Sequence, residues 1–339
     1  MHMQTEQMKG IQGDDVRAGW RAGQLGWAAL ALFSVAVVAF LAFYNLTDYP
    51  RTWFDEGSHL HVPKALVTMG VYADYSSEGL RHFGPTIGVG PTVMLPIAAA
   101  FELFGIGLMQ ARLVIVIYML AAIAVLFRLS LTFGDRRFAW IATALVVTSQ
   151  GVSLVYYGRQ VLGEVPGLLF LLGGLVLWFA AGERAGYAKL SLIGLLFGLA
   201  VVTKNQYLLL MVPTIGIAWV VNLIYYRLMP QRFFIVPGIV MGICYALWQV
   251  YIVLYLGPDT AMENLVLLRN ATAGAALVFS PELMKQSFGQ LFGLNLYLGW
   301  LLPALLYAFF QALPRNRKSQ FLGILVIFTA FNLLWFVVA

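Results

Sequence analysis

The chain of 339 residues is 61% hydrophobic and only 11% charged, with a mean hydropathy of +0.82, which excludes an ordinary soluble domain and marks a polytopic membrane protein. Its 21 Lys+Arg against 15 Asp+Glu give a pI near 9.4. The basic residues sit at the ends of apolar runs, forming neither a continuous patch nor an aromatic-interleaved motif, so no nucleic-acid partner is expected. A single cysteine, Cys244, excludes an intramolecular disulfide and a cysteine-based zinc site.

A hydrocarbon core of roughly 30 Å takes about 20 helical residues to cross. The apolar runs predict nine crossings, over residues 26–46, 108–131, 138–157, 165–181, 190–203, 207–226, 233–256, 290–313 and 321–339. They are apolar on every face rather than alternating, which excludes a barrel and leaves an all-α helical bundle. The first run is too long for a signal-peptide core and lacks a convincing small-residue cleavage site, so it reads as a retained anchor. A further stretch, 83–101, is long enough to cross but carries Pro85, Pro91 and Pro96 with Gly84, Gly88 and Gly90; it reads as a membrane-surface or re-entrant segment. The expected organisation is a single transmembrane domain over 1–339. It has a cytoplasmic tail at 1–25, a first outer loop at 47–107 with juxtamembrane helices, and a second long outer loop at 257–289 that could cover a site.

Charge assigns the faces. With nine crossings, the side of the N-terminus carries 13 Lys+Arg against 5 Asp+Glu, and the other side 8 against 10. The positive-inside rule then makes the N-terminus cytoplasmic and puts both long loops outside. Function is expected on that outer face, since the connectors on the other side are too short to build a site.

The first outer loop opens with TWFDEGSHLH at 52–61, two carboxylates and two histidines in ten residues. Asp55 and Glu56 are expected to precede a helix over 57–69 that ends on Gly70 as a left-handed cap. Leu60, Leu66, Val67 and Met69 would rest on the bilayer and Lys64 would face water. The plainer reading makes Asp55 and Glu56 ordinary helix-start carboxylates. A second cluster, YYGRQVLGEVPG at 156–167, holds Arg159 and Glu164 in a connector so short that both lie near the membrane boundary. The plainer reading there is an Arg159–Glu164 pair. Lys204 follows Lys189 by a helix too short to keep both outside the slab, so it is expected either to face a protein-lined cavity or to snorkel. Together these set Asp55, Glu56 and Glu164 against Arg81, Arg159, Lys204 and one of Arg269 or Lys285, at the depth of a lipid phosphate. The carboxylates could deprotonate a hydroxyl or amine or hold a divalent cation, while the cations stabilise a departing phosphate.

In order along the chain, FDEGSHLHVPKAL (54–66) with Met69-Gly70, GPTVMLPIAAAFELFG (90–105), ARL (111–113), GRQVLGEVPGLLF (158–170) and GLLFGLAVVTK (194–204) resemble the membrane-embedded GT-C glycosyltransferases. The likeness is to the branch of dolichyl-phosphate-mannose protein mannosyltransferases and lipid A aminoarabinose transferase. The resemblance covers roughly half the chain. It implies a GT-C bundle and an enzyme that moves a sugar from a polyprenyl-phosphate donor to a lipid, glycan or protein acceptor on the outer face of a bacterial inner membrane. It implies that Asp55 is the general base of a single inverting displacement, with Glu56 beside it. Glu164 takes a second acidic position that is more often aspartate, and Arg159 and Lys204 stabilise the donor phosphate; Arg81 and Arg269, from the charge cluster above, are further candidates for binding it. A divalent metal ion, with Asp55, Glu56, Glu164 and His59 as candidate ligands, is left open.

Two rivals are weaker. A zinc hydrolase would explain His59 and His61, but HLH puts them on different faces of a helix and no HExxH or third histidine accompanies them. A transporter or flippase of a lipid-linked sugar would also bury charges, but neither inverted repeats nor paired broken helices are evident.

Overall fold

The computed structural model describes residues 26–76, 79–84, 88–149, 153–273, 280–290 and 301–338, without the side chains of 76, 268–273 and 335–338. The expected cytoplasmic tail, the start of the 290–313 run and the side chain of Arg269 lie outside the described residues. The chain divides into two compact units at Leu46/Thr47. In the first, α1 (Gly26–Phe43) is an apolar helix of 18 residues. Ser34, its one hydroxyl, returns a hydrogen bond to the carbonyl of Leu30 at 2.8 Å, which satisfies the group where no water is available.

The second unit begins with α2 (Phe54–Met69), a hairpin of β1 (Ala73–Ser76) and β2 (Gly79–His82), and α3 (Pro91–Phe104). The bundle follows: α4 (Leu108–Ser130), α5 (Arg136–Thr148), a single turn α6 (Leu154–Tyr157), α7 (Glu164–Ala180), α8 (Tyr187–Thr203), α9 (Gln206–Val221, ending in a wider turn through Tyr226) and α10 (Arg232–Leu256). Then come α11 (Pro258–Ala273), α12 (Pro281–Gln290), α13 (Leu301–Ala312) and α14 (Arg317–Val338). Apart from the antiparallel hairpin, every described element is helical. Helices α1, α4, α9 with its terminal turn, and α10 are long and apolar enough to cross a membrane. Exposed Ile117, Ile224 and Leu254 give α4, α9 and α10 surfaces suited to lipid.

The core forms where α8 lies between α7 and α10. Leu190, Ile193, Phe197, Ala200 and Val201 of α8 are wholly buried, while Leu192 and Leu195 on its other face are exposed, so one face packs in the core and an apolar face is left outside. Trp178 of α7 anchors the packing: its indole N–H donates to the Phe233 carbonyl at 2.9 Å, and its ring stacks on Phe233 and meets Phe197 edge-on. A second cluster joins α2, α3 and α4 through Val62, Val93, Met94, Ile97 and Ile115.

Here the structure departs from expectation. Leu60, Leu66 and Val67, expected to rest on the bilayer, are half-buried and pack against this second cluster; of the four, only Met69 is largely exposed. The helix also starts three residues earlier than expected, so Asp55 and Glu56 lie in its first turn. Its end is as the sequence indicated, with Gly70 at φ 70° and its N–H returned to the Leu66 carbonyl. Helix α3 has 14 residues, about 21 Å at 1.5 Å per residue, too short to cross.

Candidate functional site

The site is assembled where α2, α4, the 158–163 connector and the end of α8 meet. Its anchor is Glu56, which is fully buried. Arg112, in the first turn and a half of α4 and equally buried, grips both carboxylate oxygens, Nε to Oε1 at 2.8 Å and Nη2 to Oε2 at 2.6 Å. The backbone N–H of Val161 adds a third bond to Oε1 at 3.0 Å. A buried ion pair holds only when geometry is good and the remaining lone pairs are met, and both conditions apply here. Glu56, expected beside Asp55 as a catalytic or metal-binding group, is thus occupied as a clamp joining three segments. Arg112 is the residue that reading the site from sequence passes over. Its signal is physical: an arginine near the start of an otherwise apolar helix must find a partner.

The same Val161 holds His59. The imidazole Nδ1 donates to the Val161 carbonyl at 2.9 Å, leaving Nε2 turned toward Gly88, where a Cβ would lie 3.7 Å away. Burial holds the His59 pKa below its ordinary 6.5, and the field of Lys204 adds to the effect, while Asp55 and Glu164 act against it. His59 is therefore within electrostatic reach of all three groups. Asp55, one residue before the clamp, is partly exposed. Among the described residues no hydrogen bond or ion pair engages it, so its carboxylate is available on a backbone fixed by its neighbour.

Lys204 leaves the end of α8 in extended conformation and runs over Gly163 to meet Glu164 Oε1 at 2.8 Å. Glu164 therefore pairs with Lys204, and the Arg159–Glu164 pair considered from sequence is not formed. The lysine side chain is 15% exposed and the glutamate 46%, while Glu164 Oε2 is itself buried and has no hydrogen-bond partner among the described residues. The end of α8 is spliced to the start of α3. The Gly90 N–H donates to the Thr203 carbonyl at 3.0 Å, the hydroxyls of Thr92 and Thr203 meet at 2.6 Å, and Tyr118 of α4 donates to the Thr92 carbonyl at 2.6 Å. A Cβ on Gly90 would run into the Val202 carbonyl oxygen, so this approach requires glycine. Arg159 is buried with its guanidinium over the Tyr49 ring, 5.6 Å from the centroid.

Arg81, expected on the donor phosphate, lies in the hairpin instead. It grips Asp74, its cross-strand partner, through Nε and Nη2 at 3.1 and 3.2 Å, so its charge is already balanced by a carboxylate. The candidate metal ligands do not assemble. Glu56 is held by Arg112, and among the described residues no three His, Cys, Asp or Glu side chains converge as a metal centre would require. Among the described residues the donor set offers no ready-made centre for a divalent ion, and no step below is routed through one.

No protein-family model matches this chain, and no curated protein matches it in sequence. Solved structures do match in fold. ArnT from Cupriavidus metallidurans bound to undecaprenyl phosphate superposes with a TM-score of 0.65 at 17% identity, covering 92% of this chain and 59% of ArnT. Its apo state gives 0.63 at 16%, with the same coverage. The archaeal oligosaccharyltransferase AglB from Archaeoglobus fulgidus, in complex with an inhibitory peptide and a dolichol-phosphate, gives 0.55 at 13%, covering 91% of this chain and 47% of AglB. The present chain therefore has the GT-C fold, over little more than half the length of ArnT.

Proposed function

We propose that this protein is a glycosyltransferase that takes its sugar from a polyprenyl-phosphate carrier, with Asp55 as general base. The observation that carries this reading is the pairing of an unengaged carboxylate on a clamped backbone, Asp55 beside Glu56–Arg112, with a cation at the end of α8, Lys204, within the electrostatic reach of one histidine. The fold supports it, since ArnT carries undecaprenyl phosphate and AglB dolichol-phosphate in structures of like architecture.

Asp55 takes the proton from an acceptor hydroxyl or amine, whose lone pair attacks the anomeric carbon. The bond from that carbon to the phosphate oxygen breaks and its electrons leave with the polyprenyl phosphate. One displacement inverts the anomeric centre. The leaving phosphate departs as an anion and needs no general acid; Lys204 and Arg159 stabilise its charge. Glu164 holds Lys204 in place until the phosphate replaces it as partner, and Glu56 positions Asp55 without reacting. The excess of positive charge on the N-terminal side supports an N-terminus in the cytoplasm and a site on the outer face of a bacterial inner membrane.

The test measures turnover of a panel of polyprenyl-phosphate sugars, with a crude native acceptor fraction, in membranes holding the wild type or Asp55→Asn. Loss of a positioned base predicts a fall of about 10²–10⁴-fold in transfer with polyprenyl phosphate still bound. Normal transfer by Asp55→Asn sinks the assignment. Labelled lipid that crosses the bilayer without donor consumption identifies a flippase instead.

A further inference from the structure

Beside the charged cluster lies a cleft of about 180 Å³ that the mechanism above does not use. One wall is aromatic: Tyr72 stacks on Phe83 with ring centroids 4.9 Å apart, and Trp248 of α10 meets both rings edge-on at 5.9 and 5.8 Å. The carboxamides of Asn205, Gln249 and Asn264 also line it, and among the described residues none of these three side chains has a hydrogen-bond partner. Among the described residues, no carboxylate, guanidinium or ammonium is among the lining groups. Gly88 and Thr203 belong to the same lining, so the cleft adjoins His59 Nε2 on one side and Lys204 on the other.

We infer that this cleft binds a single neutral sugar ring, and that the substrate of the transfer proposed above carries such a ring there. A carboxamide both donates and accepts, as a sugar hydroxyl does, and three unengaged carboxamides around one cavity give several hydroxyls partners at once. The aromatic wall takes the ring's C–H face. The volume is below the roughly 300–1,000 Å³ of pockets for drug-sized ligands, which suits one ring. An amino sugar or a uronic acid would bring a full charge against described lining groups that carry none, and desolvation disfavours it there relative to a neutral ring. The ring belongs either to the donor or to the end of a glycan acceptor; the recognition chemistry is the same.

The inference rests on the transferase reading for its place in the reaction, but its test separates the two. Saturation-transfer NMR on the purified protein with polyprenyl phosphate present compares neutral methyl glycosides with glucosamine and methyl-glycoside uronates. Neutral glycosides are expected to show saturation transfer and the charged sugars none. Trp248→Ala and the partly exposed Asn264→Leu, each checked for a wild-type melting curve, are expected to weaken neutral binding about tenfold or more. In transfer assays, a rise of about tenfold in the donor KM, with affinity for sugar-free polyprenyl phosphate unchanged, assigns the ring to the donor; a rise in the acceptor KM alone assigns it to the acceptor. Preference for a charged sugar, absence of saturation transfer from every sugar, or wild-type behaviour in both variants overturns the inference. Intact neutral-sugar binding without donor turnover leaves the cleft assigned and sinks the transferase reading instead.

Discussion

The two ends of α7 handle charge in opposite ways. At its C-terminal end, cations meet backbone carbonyls. Arg317 donates through Nη2 to the carbonyls of Phe179 and Ala181 at 2.9 and 2.6 Å, and Lys189 to that of Ala180 at 3.2 Å. These cations answer the negative pole of a helix whose last carbonyls have no partner within it. At its N-terminal end, side chains meet side chains. Glu164 faces Lys204, and the connector just before it offers the Val161 N–H to Glu56, which Arg112 grips. A cation committed to backbone carbonyls completes the fold and has nothing to exchange. On the proposed function, a lysine held by a partly exposed glutamate changes partner when a phosphate arrives, and the difference separates a stabilising end from a reactive end of the same helix.

That contrast can be broken by substitution. Arg112→Ala leaves Glu56 buried without its counter-charge and should destabilise the protein by about 3–5 kcal/mol, read as the loss of a folded fraction in a detergent-solubilised melt. The double variant Glu56→Gln/Arg112→Met removes both charges and should recover part of that loss. At the other end of α7, Arg317→Ala removes charged hydrogen bonds to two carbonyls and should cost about 1.5–3 kcal/mol, with the donor KM unchanged. Lys204→Met should shift stability by about 1 kcal/mol or less, because its partner is half exposed, yet raise the donor KM about tenfold. If instead Arg317→Ala alters the KM and Lys204→Met only the melt, the assignment of the two ends is reversed.

His59 sharpens the comparison through pH. Burial holds its pKa below 6.5 in the folded chain, so below that pH the unfolded chain binds a proton that the folded one refuses. Stability should therefore fall as pH drops below 6.5, and His59→Gln should flatten that part of the curve in a series of melts at stepped pH.

Much of this architecture can be read from local sequence, because local physics produces it. Gly70 ends α2 since only a residue tolerant of positive φ fits there, and the proline- and glycine-rich 83–101 stretch yields a short helix rather than a span. The carboxylates Asp55 and Glu56 stand out because charge is rare in so apolar a chain. Which of the two is engaged cannot be read that way. The partner of Glu56 lies 56 residues on, and nothing local distinguishes a clamped carboxylate from an available one. The Arg81–Asp74 pair is hard to read for the complementary reason: the two are close in sequence, but pairing depends on the hairpin register that sets them opposite. The cleft between Tyr72 and Trp248 draws on residues more than 170 apart and carries no charge to mark them.

The Glu56 clamp also bears on the order in which the protein is made. Its three parts emerge from the ribosome far apart: Arg112 follows Glu56 by 56 residues and Val161 by 105. Until both have arrived, the glutamate has no partner and must keep its water, since an unmatched carboxylate is costly away from it. The segment that carries Asp55 is therefore held at the aqueous boundary during synthesis, and it docks only once α4 and the chain that leads into α7 are in place.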